Sequence, residues 1–343
     1  MSYRLKVKEP LAEGLRRVAL DQIEIVDGEL RGNADAETAI HNARRALKRL
    51  RALLRLVRPG LDPFVYRRET QRLAETGRLL AGERDRHVMR QTLKKLTASA
   101  TPPLPDALLT SFETLLSASA AVSLLDPAQA RQKAIARMAT SRRFFESNAI
   151  AGLAIEHAFE GVGKVYRKGR RLHRTCLEPA TDEDFHALRK CVQQHWRHMQ
   201  LLSRAWPDAL SARAAEAKML SQLLGEDHDF AVLISYASAH VDALPEEGVS
   251  QLVALARKEQ AHLRAQVHLH GGRLFAEPAR DLVARLQSYW AAAQGLAEQA
   301  ARAEVAADVV VQPPVTNVRA RRTLRQPLPA ARKPRARTKA SQA

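Results

Sequence analysis

The chain has 343 residues, 45% of them hydrophobic, which excludes global disorder and allows about two domains; aromatics at 5% favour packed helices over sheets. Lys and Arg number 55 against 37 Asp and Glu, and a net charge of +18 points to a polyanionic partner: nucleic acid, a phosphate polymer or an anionic membrane surface. Two cysteines, Cys176 and Cys191, without metal-ligand spacing exclude a disulfide scaffold or a zinc ribbon.

The start, Met1-Ser2-Tyr3-Arg4-Leu5-Lys6, carries no apolar signal core. No run approaches the ~18 uncharged apolar residues of a membrane span, so a soluble, cytoplasmic protein is expected. Downstream, Ser and Thr caps and Leu at spacings of three and four recur between short breaks. The breaks fall at Pro59-Gly60 to Pro63, Thr101 to Pro105, Asp126-Pro127, Glu178-Pro179, Trp206-Pro207, Pro245, Gly271-Gly272 and Pro278. Nothing alternates with period two for long enough to build a sheet, and the fold class is all-α.

The segment 41–58 carries the first chemical signal. His41, Arg44, Lys48, Arg51, Arg55 and Arg58 share one helical face, and Ala43, Ala46, Leu47, Leu50, Leu53, Leu54 and Val57 share another. At 1.5 Å per residue the cationic ridge is about 25 Å long. Solvated helix faces usually mix signs, yet no acid occurs between Glu37 and Asp62. An uncompensated ridge is best tolerated opposite an anion. Arginine suits this role because its planar fork grips phosphate oxygens in pairs, and histidine gains charge as pH falls towards about 6.

A related pattern recurs. His41-x2-Arg44-Arg45 is matched by His186-x2-Arg189-Lys190, offset by 145, and Asp85 by Asp229, offset by 144. The second copy keeps Arg197 and Arg204 but has Gln193 and Gln194 where the first has Lys48 and Arg49, and Trp196 where the first has Arg51. A duplicated helical bundle is expected, with domains at 1–175 and 176–305. The last acid is Asp308, and the nine basic residues beyond it, mixed with Pro and Ala, supply half the net charge. Residues 306–343 are therefore expected to be a disordered basic tail.

These residues resemble the CHAD family, the conserved histidine α-helical domain. The resemblance runs from Tyr3-Arg4-Leu5-Lys6 and Glu9-Pro10-Leu11 through His41-x2-Arg44-Arg45-x2-Lys48-Arg49-x-Arg51, Gly82-Glu83-Arg84-Asp85 and Tyr166-Arg167-Lys168-Gly169-Arg170. It continues through His186-x2-Arg189-Lys190 and Leu224-Gly225-x2-His228-Asp229 to Gly272-Arg273-Leu274-Phe275-Ala276-Glu277-Pro278. It implies two four-helix bundles related by a pseudo-twofold, a central basic groove, binding of inorganic polyphosphate, and association with polyphosphate or polyester storage granules in some bacteria. By position it implies groove residues His41, Arg44, Arg45, Lys48, Arg49, Arg51, Arg84, Tyr166, Arg167, Arg170, His186, Arg189, Lys190 and His228, to which the stripes add Arg55 and Arg197. The glutamine pair implies an asymmetric groove, stronger on the first bundle. The 40 residues before His41 lack the Glu-x-Glu-x-Lys pattern of the triphosphatase domain that precedes many CHAD modules, so a stand-alone member is expected.

Other constellations read as structural. His195-x2-His198 and His268-x-His270 lack a carboxylate or thiolate partner at useful spacing, so no metal and no cofactor are expected. Asp85 and Asp229 are expected to orient Arg or His of the signature helices, and Glu226-Asp227-His228-Asp229 is expected at a helix turn. The leading function is non-catalytic polyphosphate binding. The alternatives are a DNA-associated or granule–nucleoid linker acting through the basic tail and, behind it, a polyphosphate-processing enzyme. The last is disfavoured because phosphoryl transfer needs Mg²⁺ held by carboxylates and the stripes are poor in them.

Overall fold

The structure is a computed structural model that describes residues 3–32, 35–121 and 126–311. Among these there is no strand, and the architecture is all-α. The helices are α1 (Leu11–Arg31), α2 (Ala36–Val57), α3 (Pro63–Leu79), α4 (Gly82–Ser99), α5 (Asp106–Ala121), α6 (Pro127–Glu146), α7 (Ile155–Thr175), α8 (Asp182–Leu202), α9 (Pro207–Ala239), α10 (Glu246–Leu274) and α11 (Ala279–Val311). No helix among the described residues is long and apolar enough to cross a membrane.

The starts follow from local chemistry. Asp35, Asp62 and Asp126 each accept backbone N–H bonds one turn into α2, α3 and α6. Thr181 and Asp184 form a reciprocal capping box on α8. Pro63, Pro127 and Pro207 occupy first-turn positions where no N–H is needed. The Gly271-Gly272 pair does not break its helix, because α10 continues to Leu274. A Cβ at Gly271 would overlap the His173 ring of α7, so this glycine serves a close helix approach that outweighs its helix penalty of about 1 kcal/mol.

Contacts group the chain into Met1–Gln299 and Ala300–Ala343. In the first unit α2 packs on α1, α3, α7 and α8, while α8 packs on α7, α9 and α2. The expected boundary at 175/176 falls between α7 and α8, and both sides belong to that one unit. In the second, α11 extends to Val311, six residues into the segment read as tail, and residues 312–343 lie outside the described residues.

The core is built on the predicted apolar face of α2: Leu47, Leu50, Leu53, Leu54 and Val57 are all buried. Each such side chain contributes about 1.5–3 kcal/mol of burial. Where α2 crosses α8, the His198 ring, fully buried, lies with Nε2 3.0 Å from the Ala52 carbonyl oxygen. Gly161 brings α7 onto the end of α2 so closely that a Cβ there would overlap the Leu56 carbonyl. One turn beyond His198 on α8, the Leu5 N–H donates to the Leu201 carbonyl at 2.8 Å and ties down the N-terminal segment.

Candidate anion-binding clefts

The exposed face of α2 lines two basic clefts in succession. The first, of about 480 Å³, is formed by His41, Arg44, Arg45 and Lys48 of α2, Asp85, Val88 and Met89 of α4, Arg189 of α8, and His228, Asp229 and Val232 of α9. The second, of about 270 Å³, takes Arg51, Arg55 and Arg58 from α2 and the turn after it, Lys164 and Lys168 from α7, and Lys190 and Gln194 from α8. Six cations and no acid line the second cleft. The spacing of three and four residues along α2 therefore distributes one ridge over both.

Charge in the first cleft is only partly offset. Arg44 donates to the carbonyls of Gly77 (3.4 Å) and Leu80 (3.2 Å) at the end of α3 and lies 3.4 Å from the exposed Asp85 carboxylate. Asp229 and Asp227 offset part of the charge on Arg189, whose pKa burial pulls down. The buried Arg189 Nε–H has no hydrogen-bond partner among the described residues. Lys48 stays accessible in the concave wall, but desolvation and the guanidinium groups of Arg189, Arg197, Arg44 and Arg51 push its pKa down to about 8. Like charges crowded around an amine favour its neutral form, and an arriving anion reverses this.

The histidines divide. His41 is exposed at the first cleft. His186 and His228 stack, ring centroids 4.0 Å apart and planes within 21°. Burial, then the charge of the neighbouring ring, Arg189 and Lys190, lowers His228 to about 4; His186 is lowered as well, by burial and Lys190. Burial thus disfavours the charged form of both rings, against the expectation that they would add charge near pH 6. His228 lines the first cleft, while His186 opens onto an adjoining wide depression with Asp182, Glu183, Arg257 and Arg264.

Several residues expected at a common groove lie elsewhere. Tyr166 is fully buried and donates its hydroxyl to the Leu274 and Glu277 carbonyls (3.1 and 3.0 Å), with Arg213 over its ring. Arg170 donates to the Phe275 carbonyl at 3.0 Å. Arg167 is exposed and lines neither cleft. Arg197 is 6% exposed, donates to the Gln193 carbonyl at 2.9 Å and lies over the Trp196 ring. Its pKa falls to about 10 through burial, with Arg49, Arg45 and Arg51 adding to the fall. Arg49 turns away to a third cleft with Tyr3, Arg4, Trp196 and Lys218 and donates to the Gln22 side chain at 3.2 Å. Arg84 lies on α4, but its side chain is outside the described residues.

The sequence reading missed Lys164 and Lys168. Their spacing of four places both on one face of α7, and this was the available signal. It also placed the Glu226 to Asp229 cluster at a turn, whereas the cluster lies inside the 33-residue α9. There Asp227 is buried and pairs with Arg264 at 2.7 Å. His195 and His198 are core residues: the first accepts from Arg213 at 3.2 Å, and both are held below the ordinary histidine pKa chiefly by burial. No cluster of three or more metal-ligating side chains occurs among the described residues.

Comparison with known proteins agrees with this helical arrangement. The family model for the CHAD domain matches residues 16–238, and the chain belongs to that family. The crystal structure of the CHAD domain from the plant Ricinus communis is similar in fold, with a TM-score of 0.53 and 18% identity over 80% of this chain and 95% of that one. No curated protein matches the chain.

Proposed function

We propose that this chain binds inorganic polyphosphate and does not turn it over. The observation that carries the reading is the pair of clefts along one face of α2, lined by ten Lys and Arg side chains against two carboxylates. A linear polymer with one negative charge per unit matches a linear row of cations; a compact anion would use only part of it. The Nε–H of Arg189, without a partner among the described residues, is a donor for which a phosphate oxygen is a suitable acceptor. Polyphosphate binding is general among CHAD domains, which supports the same ligand. The duplicated His/Arg pattern supports two related halves contributing unequally, the first more strongly. The two carboxylates of the first cleft face guanidinium groups and serve to orient them, which supports binding without catalysis.

Lys48, Arg51 and Lys190 are exposed side chains that line the two clefts. Converting all three to Glu is expected to lower affinity for long-chain polyphosphate by at least 100-fold in a filter-binding assay, with helicity by circular dichroism unchanged. Full affinity in a folded triple variant overturns the assignment.

A second reading rests on residues 309–343, nine of them basic and none acidic. In it the tail attaches a cytoplasmic protein to DNA or to storage granules. Deleting 309–343 then removes salt-sensitive DNA binding and leaves polyphosphate binding intact; retained DNA affinity counts against a separate tail function.

A further inference from the structure

Lys48 is unusual among the lysines of this chain. It stands in the wall of the first cleft, accessible to solvent, and no carboxylate forms an ion pair with it among the described residues. The charged and titratable groups around it are His41, Arg44, Arg45 and Arg51 on its own helix, Asp85 on α4, Arg189 and Arg197 on α8, and His228 and Asp229 on α9. Asp85 and Asp229 are occupied with Arg44 and Arg189. The amine is thus surrounded by groups that attract anions and repel its own proton.

We propose that Lys48 is a site of covalent acylation whose donor is a small acyl phosphate. The cationic walls that draw in phosphate oxygens would hold the donor's phosphate group, leaving its carbonyl carbon near the amine. The neutral amine attacks that carbon with its lone pair. The carbon–oxygen bond to phosphate breaks, inorganic phosphate leaves with the electron pair, and the ammonium formed at nitrogen releases its proton to water. An amide remains, and the step involves no oxidant, reductant or metal. Arg44 and Arg189 stabilise the departing phosphate as well as binding the donor.

The amine is suited to this step. With a pKa of about 8, roughly a quarter of Lys48 is neutral at pH 7.5, against about 0.1% of an ordinary lysine. Lower basicity reduces intrinsic nucleophilicity, as it does for thiols, and an advantage of about tenfold or more survives. Acylation would remove one positive charge from the cleft and would compete with any phosphate polymer seated there.

The test uses the full chain with acetyl phosphate at pH 7.5 and measures early acetylation of each lysine by peptide mass spectrometry, with and without tripolyphosphate. Lys48 is expected to react at least tenfold faster than the exposed Lys94 and Lys258, and the chain carrying Lys48→Arg is expected to lose the fast site without changing the others. A Lys48 rate equal to that of Lys94 and Lys258 overturns the proposal. Protection by tripolyphosphate supports the phosphate-binding assignment of the cleft. A fast Lys48 that tripolyphosphate does not protect leaves the acylation site standing and counts against polyphosphate at this cleft.

Discussion

The salt dependence of polyphosphate binding tests the cleft assignment with a number worked from the structure. Ten Lys and Arg side chains line the two clefts and two carboxylates oppose them, a net eight positive charges. Each phosphate neutralised releases condensed counterions, and for single-stranded nucleic acids the slope of log K against log salt is about −0.7 per contact. Eight contacts give a slope near −6, so raising salt from about 50 to 200 mM weakens binding by about 10³-fold. The assay is fluorescence anisotropy of end-labelled long-chain polyphosphate over that salt range at pH 7. Changing Arg51, Arg55 and Arg58 together to Gln removes three contacts from the second cleft and makes the slope shallower by about 2. The cost to the fold is small, because among the described residues Arg55 and Arg58 give up only ring contacts with Tyr66 at 5.7 and 5.2 Å. A wild-type slope shallower than about −3, or a slope unchanged by the triple substitution, would refute a polymer lying along both clefts.

Binding is expected to weaken as pH rises. The free pKa of Lys48 is about 8 and a bound polyanion raises it, so binding takes up a proton above that pH. Affinity is then level below about pH 7 and falls towards an upper limit of about tenfold at pH 9, less with solvent screening of this accessible group. Lys48→Arg should flatten the profile, and an unchanged slope in that variant rejects Lys48 as the titrating group. Acid should destabilise the fold through His198, fully buried with a pKa lowered to about 4. The unfolded chain takes up the proton near 6.5, so this contribution is present above that pH and is lost as pH falls to about 4, up to about 3 kcal/mol. Urea midpoints at pH 7 and 4.5 measure it, and His198→Gln, which retains a donor for the Ala52 carbonyl, should reduce the difference. Gly161→Ala must push α7 off the Leu56 carbonyl and should cost about 3 kcal/mol. Gly28→Ala, with nothing within 4 Å of its added carbon, should be neutral or stabilising by up to about 1 kcal/mol, and urea midpoints at pH 7 measure both glycine variants.

The helix at 41–58 was legible in the sequence to the level of its faces. Periodicity fixes which residues share a side, and the side rich in Leu is the buried one. Periodicity does not say which neighbour each flank meets. Arg45 and Arg49 are four apart, yet Arg45 lines the first cleft and Arg49 the third. Tyr166 and Arg170 belong to a quoted motif, but their partners are carbonyls between Leu274 and Glu277, more than a hundred residues away. Gly271-Gly272 looked like a break because the ring that needs the space, His173, lies on another helix. Local pattern thus revealed the elements and the cationic ridge. The packing that aims each side chain depended on contacts distant in sequence.

The two clefts differ in how their walls are fastened. Behind the second, α7 rests directly on the α2 main chain at Gly161, a joint with no side chain to rearrange. The outer wall of the first is α4, which packs on α2, α5 and α9, buries Leu93 and Leu96 in the core, and adds the exposed Lys95–Glu226 pair. Such a pair is worth no more than about 1 kcal/mol and weakens with ionic strength. The second cleft is therefore a rigid gauge, fixed in calibre by main-chain contact, and what lies there must match its width.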